Sequence, residues 1–176
     1  MSVDVVFIAG SPSPTSRSSQ VARAVTSHAE RAGLTVRAYS LHDFDASDVL
    51  FGRADAPAIK AFVDVAKGAG AIVVASPVYK ATYAGGLKAI VDLIPHDALV
   101  ERAALGIATT RLPAHAPEVE HAYRALFGFF SARTLAPLVV LDEELHLESA
   151  ETTFAPAAKE RIDAAARALV EAVVAR

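Results

Sequence analysis

The chain contains no cysteine, which excludes a disulfide framework, a thiolate metal site and a cysteine nucleophile. The cytoplasm is the expected compartment. No apolar run is long enough to span a bilayer, and the N-terminus passes straight into Val5-Val6-Phe7-Ile8 with no basic flank, so no membrane association and no processed leader are expected. An excess of positive charge is also lacking: the net charge is −3, which argues against general binding to nucleic acid. There is no internal repeat and no low-complexity linker, so the 176 residues are expected to form a single domain, 1–176. Several catalytic signatures are missing as well. The six histidines show neither H-x-x-x-H nor H-E-x-x-H, and no G-x-S-x-G is present. Asp142-Glu143-Glu144-Leu145-His146 therefore reads as a solvated acidic loop rather than a metal site.

What is present is a 53% hydrophobic content arranged in short continuous runs, the pattern of a parallel sheet covered on both faces. Strands are predicted at Val3 to Ala9, Thr35 to Ser40, Ala71 to Ser76, Ala103 to Thr109 and Thr134 to Leu141, alternating with helices. The first helix is predicted from Ser18 to Ala32, stopping at Gly33. Two later helices carry core stripes: Val119, Tyr123, Leu126, Phe127 and Phe130, then Ile162, Ala166, Leu169, Val170 and Val173. Five such strands permit a dinucleotide-binding half-sheet or the doubly wound, three-layer α/β order 2-1-3-4-5 of flavodoxin.

The segment joining the first strand to the first helix discriminates between these. Gly10-Ser11-Pro12-Ser13-Pro14-Thr15-Ser16-Arg17-Ser18-Ser19 is neither G-x-G-x-x-G nor G-x-x-x-x-G-K-[ST]. Nor is Leu34 to Tyr39 followed at once by the acidic residue that would hold an adenosine ribose. Gly10 is expected to let the chain turn off the strand. Hydroxyls from Ser11, Ser13, Thr15, Ser16, Ser18 and Ser19 can donate, and Arg17 supplies positive charge. Pro12 and Pro14 have no N–H, so main-chain donors must come mostly from Thr15 through Ser19, at the start of a helix. A hydroxyl-rich cradle of this kind fits a single terminal phosphate such as that of FMN, at the switch point between strands one and three. A plain serine-capped turn is the alternative.

The third strand is predicted to end beside that loop, in Ser76-Pro77-Val78-Tyr79-Lys80-Ala81-Thr82-Tyr83-Ala84-Gly85-Gly86-Leu87-Lys88. Pro77 can pack on a flat ring, Tyr79 and Tyr83 can stack on or wall one, and Gly85-Gly86 permits close approach of a ligand or another chain. Lys80 and Lys88 either attract a phosphorylated dinucleotide or simply face water. Arg53 and Asp55 either pair with each other or meet the dinucleotide.

On these residues the chain resembles the NADPH-dependent FMN reductases, which have a flavodoxin-like fold. Within that family it is similar to the flavin reductases that supply two-component alkanesulfonate monooxygenases. The resemblance runs the length of the chain and is densest at Ala9 to Ser19, Leu50 to Lys60 and Ser76 to Lys88. It implies that Ser11, Ser16, Arg17, Ser18 and Ser19 hold the FMN phosphate and that Pro77, Val78, Tyr79 and Lys80 hold the isoalloxazine. After the fourth strand, where the family commonly has Thr-Gly-Gly against the flavin pyrimidine edge, this chain has Thr109-Thr110-Arg111. Thr109 can keep its role. Arg111 faces either the ring, where it would stabilise an anionic hydroquinone, or solvent.

The implied activity is hydride transfer from NADPH to FMN without a protein nucleophile, with reduced flavin passing to a partner monooxygenase or to an acceptor such as a quinone. Two other functions remain open, an FMN-retaining NAD(P)H quinone or azo reductase and a flavodoxin-type electron carrier. The mild acidity of this chain suits the carrier less well. Tyr83, Gly85, Arg111 and His121 are the residues expected to meet NADPH or a second subunit. Helical spacing puts His121 opposite the core stripe of its helix, while the resemblance implies an inserted residue there that bulges the helix into a π turn at a subunit contact. A homo-oligomer is expected, either a tetramer built as a dimer of dimers or a dimer.

Overall fold

A computed structural model of the chain describes residues 3–147 and 152–175. The first strand, β1 (Val5–Ala9), alternates its side chains between two buried faces: Val5 and Phe7 enter one core, Val6 and Ile8 the other. It pairs in parallel with β2 (Val36–Ser40) on one side and β3 (Ala71–Tyr79) on the other. Beyond β3 lies β5 (Ala103–Thr110), buried along its whole length, followed by a fifth strand in two pieces, β6 (Arg133–Thr134) and β7 (Leu138–Leu141). In space the order is second, first, third, fourth, fifth, the doubly wound flavodoxin-like arrangement expected from the sequence.

The last strand was predicted as one run from Thr134 to Leu141. It is broken where Leu135-Ala136-Pro137 intervenes, because Pro137 has no N–H to give the ladder. Leu135 keeps the pieces in register by donating its N–H to Ala104 O at 2.9 Å.

Two helical layers cover the sheet. Helices α1 (Arg17–Arg31) and α6 (Pro156–Val174) pack together on the Val5/Phe7 face, through Val21, Val25 and Ala29 on one and Ile162, Ala166 and Leu169 on the other. Helices α3 (Pro57–Gly68), α4 (Gly85–Val91) and α5 (Ala116–Phe129) cover the Val6/Ile8 face. A short α2 (Ala46–Leu50) precedes α3, with Asp45 capping it through bonds from the Ser47 and Asp48 N–H groups. Two hairpins were not foreseen: β3 turns back into β4 (Thr82–Tyr83), and β8 (Leu145–Leu147) pairs with β9 (Thr152–Phe154). Among the described residues no helix is long and apolar enough to cross a membrane.

Helix α5 is a regular α-helix from Ala116 to Phe129, which corrects the expectation of a π turn. Val119, Tyr123, Leu126, Phe127 and Phe130 are all buried in unbroken helical register, and His121 falls on the exposed side, so no extra residue has to be accommodated. Tyr123 lies so close under β5 that a Cβ at Gly106 would stand 2.4 Å from its ring. Its buried hydroxyl donates to Ile107 O at 2.8 Å.

Gly10 also differs from expectation. Its φ is not positive, so the turn off β1 makes no demand for glycine. A Cβ there would stand 2.4 Å from Leu87 Cβ, and glycine is needed for the close packing of α4 against the end of β1.

Candidate functional site

A cleft of about 720 Å³ opens at the carboxyl ends of β1, β3 and β5, where an open parallel sheet reverses its winding direction. One end is built by the loop from β1 to α1. Ser16 is the N-cap of α1 in extended conformation, but its side chain caps no N–H; its Oγ lies 2.8 Å from Ser18 Oγ instead. The first helical bond runs from Gln20 N–H to Ser16 O. The N–H groups of Arg17, Ser18 and Ser19 consequently have no acceptor among the described residues. Ser11, Ser13, Thr15, Ser16 and Arg17 line the cleft. Ser18 and Ser19 do not line it; like Ser11 and Ser16 they are buried, and the Ser18 hydroxyl is engaged with that of Ser16. Arg17 is exposed and has no carboxylate partner among the described residues. Ser11 Oγ accepts the Ser13 N–H at 3.1 Å, which folds the loop around Pro12.

The wall of the cleft is Pro77, Val78 and Tyr79, at the end of β3. Ser76 fixes this segment: its Oγ accepts the Ala84 N–H at 2.7 Å and donates to Pro77 O at 2.8 Å. Tyr79 is half exposed and immediately precedes the two-residue turn Lys80-Ala81, whose φ angles of 54° and 66° suit the right-handed twist of a hairpin. Lys80 therefore sits at an exposed turn tip and does not line the cleft. Tyr83 pairs with Val78 across the hairpin and stacks on Tyr123 at 5.5 Å, outside the cleft. Burial pushes its phenol above the usual tyrosine range, with the Asp92 charge adding to that and the Lys88 charge opposing it. Of the two glycines that follow, Gly85 faces open space, whereas Leu41 packs against Gly86: a Cβ there would meet Leu41 Cδ1 at 2.8 Å and the leucine side chain would have to shift.

The far end comes from β5 and β7. Thr109 and Thr110 are buried at the end of β5 and line the cleft, and Thr110 Oγ1 accepts the Leu112 N–H at 3.2 Å. Arg111, at 85% side-chain exposure, points along the rim, where its Nε lies 3.5 Å from Asp142 Oδ2. Leu112, His115, Asp142 and Leu147 complete this end, and sequence reasoning assigned none of them to a site. Asp142 was legible in principle, since it directly follows the last strand at the sheet's carboxyl edge. Beside it, Glu144 accepts from Leu141 N–H at 2.9 Å and from Arg161 Nη2 at 2.7 Å. Although burial raises its pKa, these bonds outweigh that and hold its carboxyl below the usual range. Arg53 pairs with Asp48 at 3.1 Å, away from the cleft. Among the described residues no group of three histidine, aspartate or glutamate side chains could hold a metal ion.

The donor chemistry suits a flavin mononucleotide. One end offers unpartnered N–H groups, hydroxyls and a free guanidinium to a dianion, while proline, valine and tyrosine offer a wall to a flat ring. The cleft falls within the size range of small-molecule sites.

Similarity to known proteins points the same way. A relative from Escherichia coli (strain K12), "FMN reductase (NADPH)", is 32% identical over 162 residues, covering 92% of this chain and 85% of the relative. Among solved structures, apo NADH:FMN oxidoreductase (EMOB) superposes with a TM-score of 0.85 at 27% identity, over 96% of this chain and 89% of the other. A flavodoxin from Archaea shares the fold with a TM-score of 0.61 at 12% identity, over 98% of each chain. Residues 3–146 match the NADPH-dependent FMN reductase family. The chain is a member of that family, an oxidoreductase on a flavodoxin-like fold.

Proposed function

We propose that this chain binds FMN in the cleft, reduces it with NADPH and releases reduced flavin to a partner, a flavin-dependent monooxygenase. The observation that carries this reading is the α1 N-terminus, where Ser11, Ser16 and Arg17 line the cleft that Pro77, Val78 and Tyr79 wall, and where the N–H groups of Arg17, Ser18 and Ser19 have no acceptor among the described residues. The N–H groups of Arg17, Ser18 and Ser19 receive the phosphate oxygens, with Ser11 and Ser16 hydroxyls beside them. The Arg17 guanidinium neutralises the phosphate charge. Anchoring at that end leaves the ring against Pro77–Tyr79 and above Thr109 and Thr110. A bound flavin supplies the hydride-accepting atom and the nicotinamide supplies the hydride, so the protein's task is to stack the two rings and orient them. No residue of the cleft has to act as a nucleophile. The half-exposed Tyr79 and the open mouth leave room for the dinucleotide to enter and for flavin to leave.

The E. coli relative is named for NADPH and the superposed oxidoreductase for NADH, so preference for the phosphorylated dinucleotide is part of the proposal. Self-association, as a tetramer or a dimer, is another part, supported by the exposure of His121 and of Phe129 on α5. The cytoplasm, where reduced dinucleotides are available, is the compartment that fits.

An anaerobic assay of dinucleotide absorbance, with and without FMN, tests the reading. Oxidation that requires FMN and runs faster with NADPH than NADH supports it. Flavin-saturated protein that oxidises neither dinucleotide with an acceptor present overturns it. Protein that purifies yellow and turns over by a ping-pong scheme points to a flavin-retaining quinone or azo reductase instead.

A further inference from the structure

The phosphate loop is nearly free of the rest of the chain. Gly10 anchors its start by donating to Ala75 O at 2.7 Å, and α1 anchors its end. Between them, Ser13 bonds to Ser11, and the Ser13 and Thr15 hydroxyls lie 3.4 Å apart, all within the loop. Among the described residues a single hydrogen bond ties residues 12–15 to another part of the molecule: His42 Nε2 lies 3.1 Å from Pro12 O. A carbonyl can only accept, so Nε2 carries the hydrogen and donates it.

His42 is itself held firmly. It occupies the middle of a one-turn 3-10 helix, Leu41–Asp43, directly after β2. A reciprocal cap closes that turn: Asp43 Oδ2 accepts from the Ser40 N–H at 2.6 Å, and Ser40 Oγ accepts from the His42 N–H at 3.3 Å. On its inner side Leu41 packs against Gly86 at the start of α4. An imidazole mounted on a capped and packed turn thus grips an exposed loop that has little else to hold it.

We infer that His42 is a positioning residue for the phosphate loop. Its bond to Pro12 keeps Ser11, Ser13 and Thr15 facing the cleft before a ligand arrives, so that less ordering is required when a phosphate binds. The inference rests on the FMN reading of the cleft. It concerns the phosphate alone, and riboflavin, which has the ring without the phosphate, is the internal control.

The test compares FMN and riboflavin affinities by quenching of flavin fluorescence in the native protein, His42→Ala and His42→Gln. Amide hydrogen exchange of residues 11–19 is followed in the ligand-free proteins. His42→Ala should weaken FMN about threefold to tenfold, the worth of one ordinary hydrogen bond, and leave riboflavin unchanged. Exchange in the loop should quicken without change in β1 or β3. Glutamine, whose amide nitrogen reaches the place of Nε2, should restore both properties. Equal losses for FMN and riboflavin, unchanged FMN binding, or failure of glutamine to rescue would each overturn the inference while leaving the FMN reading intact. A native protein that binds riboflavin as tightly as FMN would remove the phosphate site itself, and the inference with it.

Discussion

At the α1 end of the cleft the N–H groups of Arg17, Ser18 and Ser19 and the Arg17 guanidinium have no partner among the described residues, whereas at the β7 end Arg111 meets Asp142 and Glu144 meets Arg161. Donors that face open space are hydrated and cost the fold little, but they are available to an anion. Cations already matched by carboxylates are not. In the proposed arrangement this contrast gives the charge-reading task to the α1 end and leaves the β7 end to shape the rim.

The largest expected effect breaks this contrast at its strong end. Arg17→Glu replaces a cation that has no carboxylate partner among the described residues with a carboxylate at the proposed phosphate position. Loss of a charge-assisted bond alone is worth about 1.5–3 kcal/mol, or roughly a tenfold to hundredfold rise in the Kd for FMN. Riboflavin should bind as before. The corresponding change at the other end, Arg111→Gly, removes a pair whose arginine is 85% exposed. It should shift FMN and riboflavin together and by less than about fivefold, since exposed pairs contribute at most about 1 kcal/mol. Comparable phosphate discrimination at both ends would abolish the distinction.

A second variant separates packing from ligand chemistry at the α1 end. Gly10→Ala drives a Cβ to within 2.4 Å of Leu87 Cβ, on the backbone side of α4 where neither atom can swing away. Overpacking of this kind should cost about 1–3 kcal/mol of unfolding free energy in a denaturant titration. Glycine at this position looks like part of a ligand loop in the sequence. The structure makes it a packing residue, and stability, rather than flavin selectivity, is what should suffer.

The two ends also differ in how much of them could be read from the chain. The α1 end was legible because its parts are contiguous: an apolar run, a glycine, hydroxyls, an arginine and a helix start follow one another from Val5 to Ser19. Side-chain direction was not legible: Ser18 and Ser19 were read together with Ser11 and Ser16, but only the latter two line the cleft. The far end is assembled from β5, a 3-10 turn at Pro113–His115 and the segment after β7, which no local pattern brings together. His42 lies 30 residues from the carbonyl it holds, and only the pairing of β2 with β1 puts it there. The strands were legible because each announces itself through local composition, and their order because the hydroxyl-rich loop after the first of them does not match a dinucleotide-binding turn. The hairpin at Lys80-Ala81 was hidden because neither residue is the glycine or asparagine such turns prefer.

That hairpin provides a smaller effect. Ala81 holds a left-handed φ of 66° that glycine adopts freely. Ala81→Gly relieves this strain, partly offset by the greater freedom of glycine in the unfolded chain, for a net gain of about 0.5–1 kcal/mol. A rise in Tm with unchanged FMN affinity is expected. Lower stability would mean that the turn is not the strained element it looks to be.

The smallest effect concerns pH at the β7 end. Glu144 has its carboxyl held below the usual value of 4.5 by the Arg161 bond and the Leu141 N–H, against the opposing effect of burial. A carboxylate with a lowered folded pKa binds fewer protons folded than unfolded, so its contribution is fully present above 4.5 and fades as pH falls through the lower folded value. Arg161 is itself 43% exposed, and solvent screening keeps the contribution within about 1 kcal/mol. Thermal melts of the native protein and of Arg161→Gln should therefore differ slightly at pH 6 to 7 and converge as the pH falls through the lowered folded value of Glu144. The FMN phosphate lies at the opposite end of the cleft in the proposed arrangement, so FMN affinity at neutral pH should be the same in both proteins. A variant that keeps its melting difference in acid, or that loses FMN selectively, would show that the β7 end does more than brace the rim.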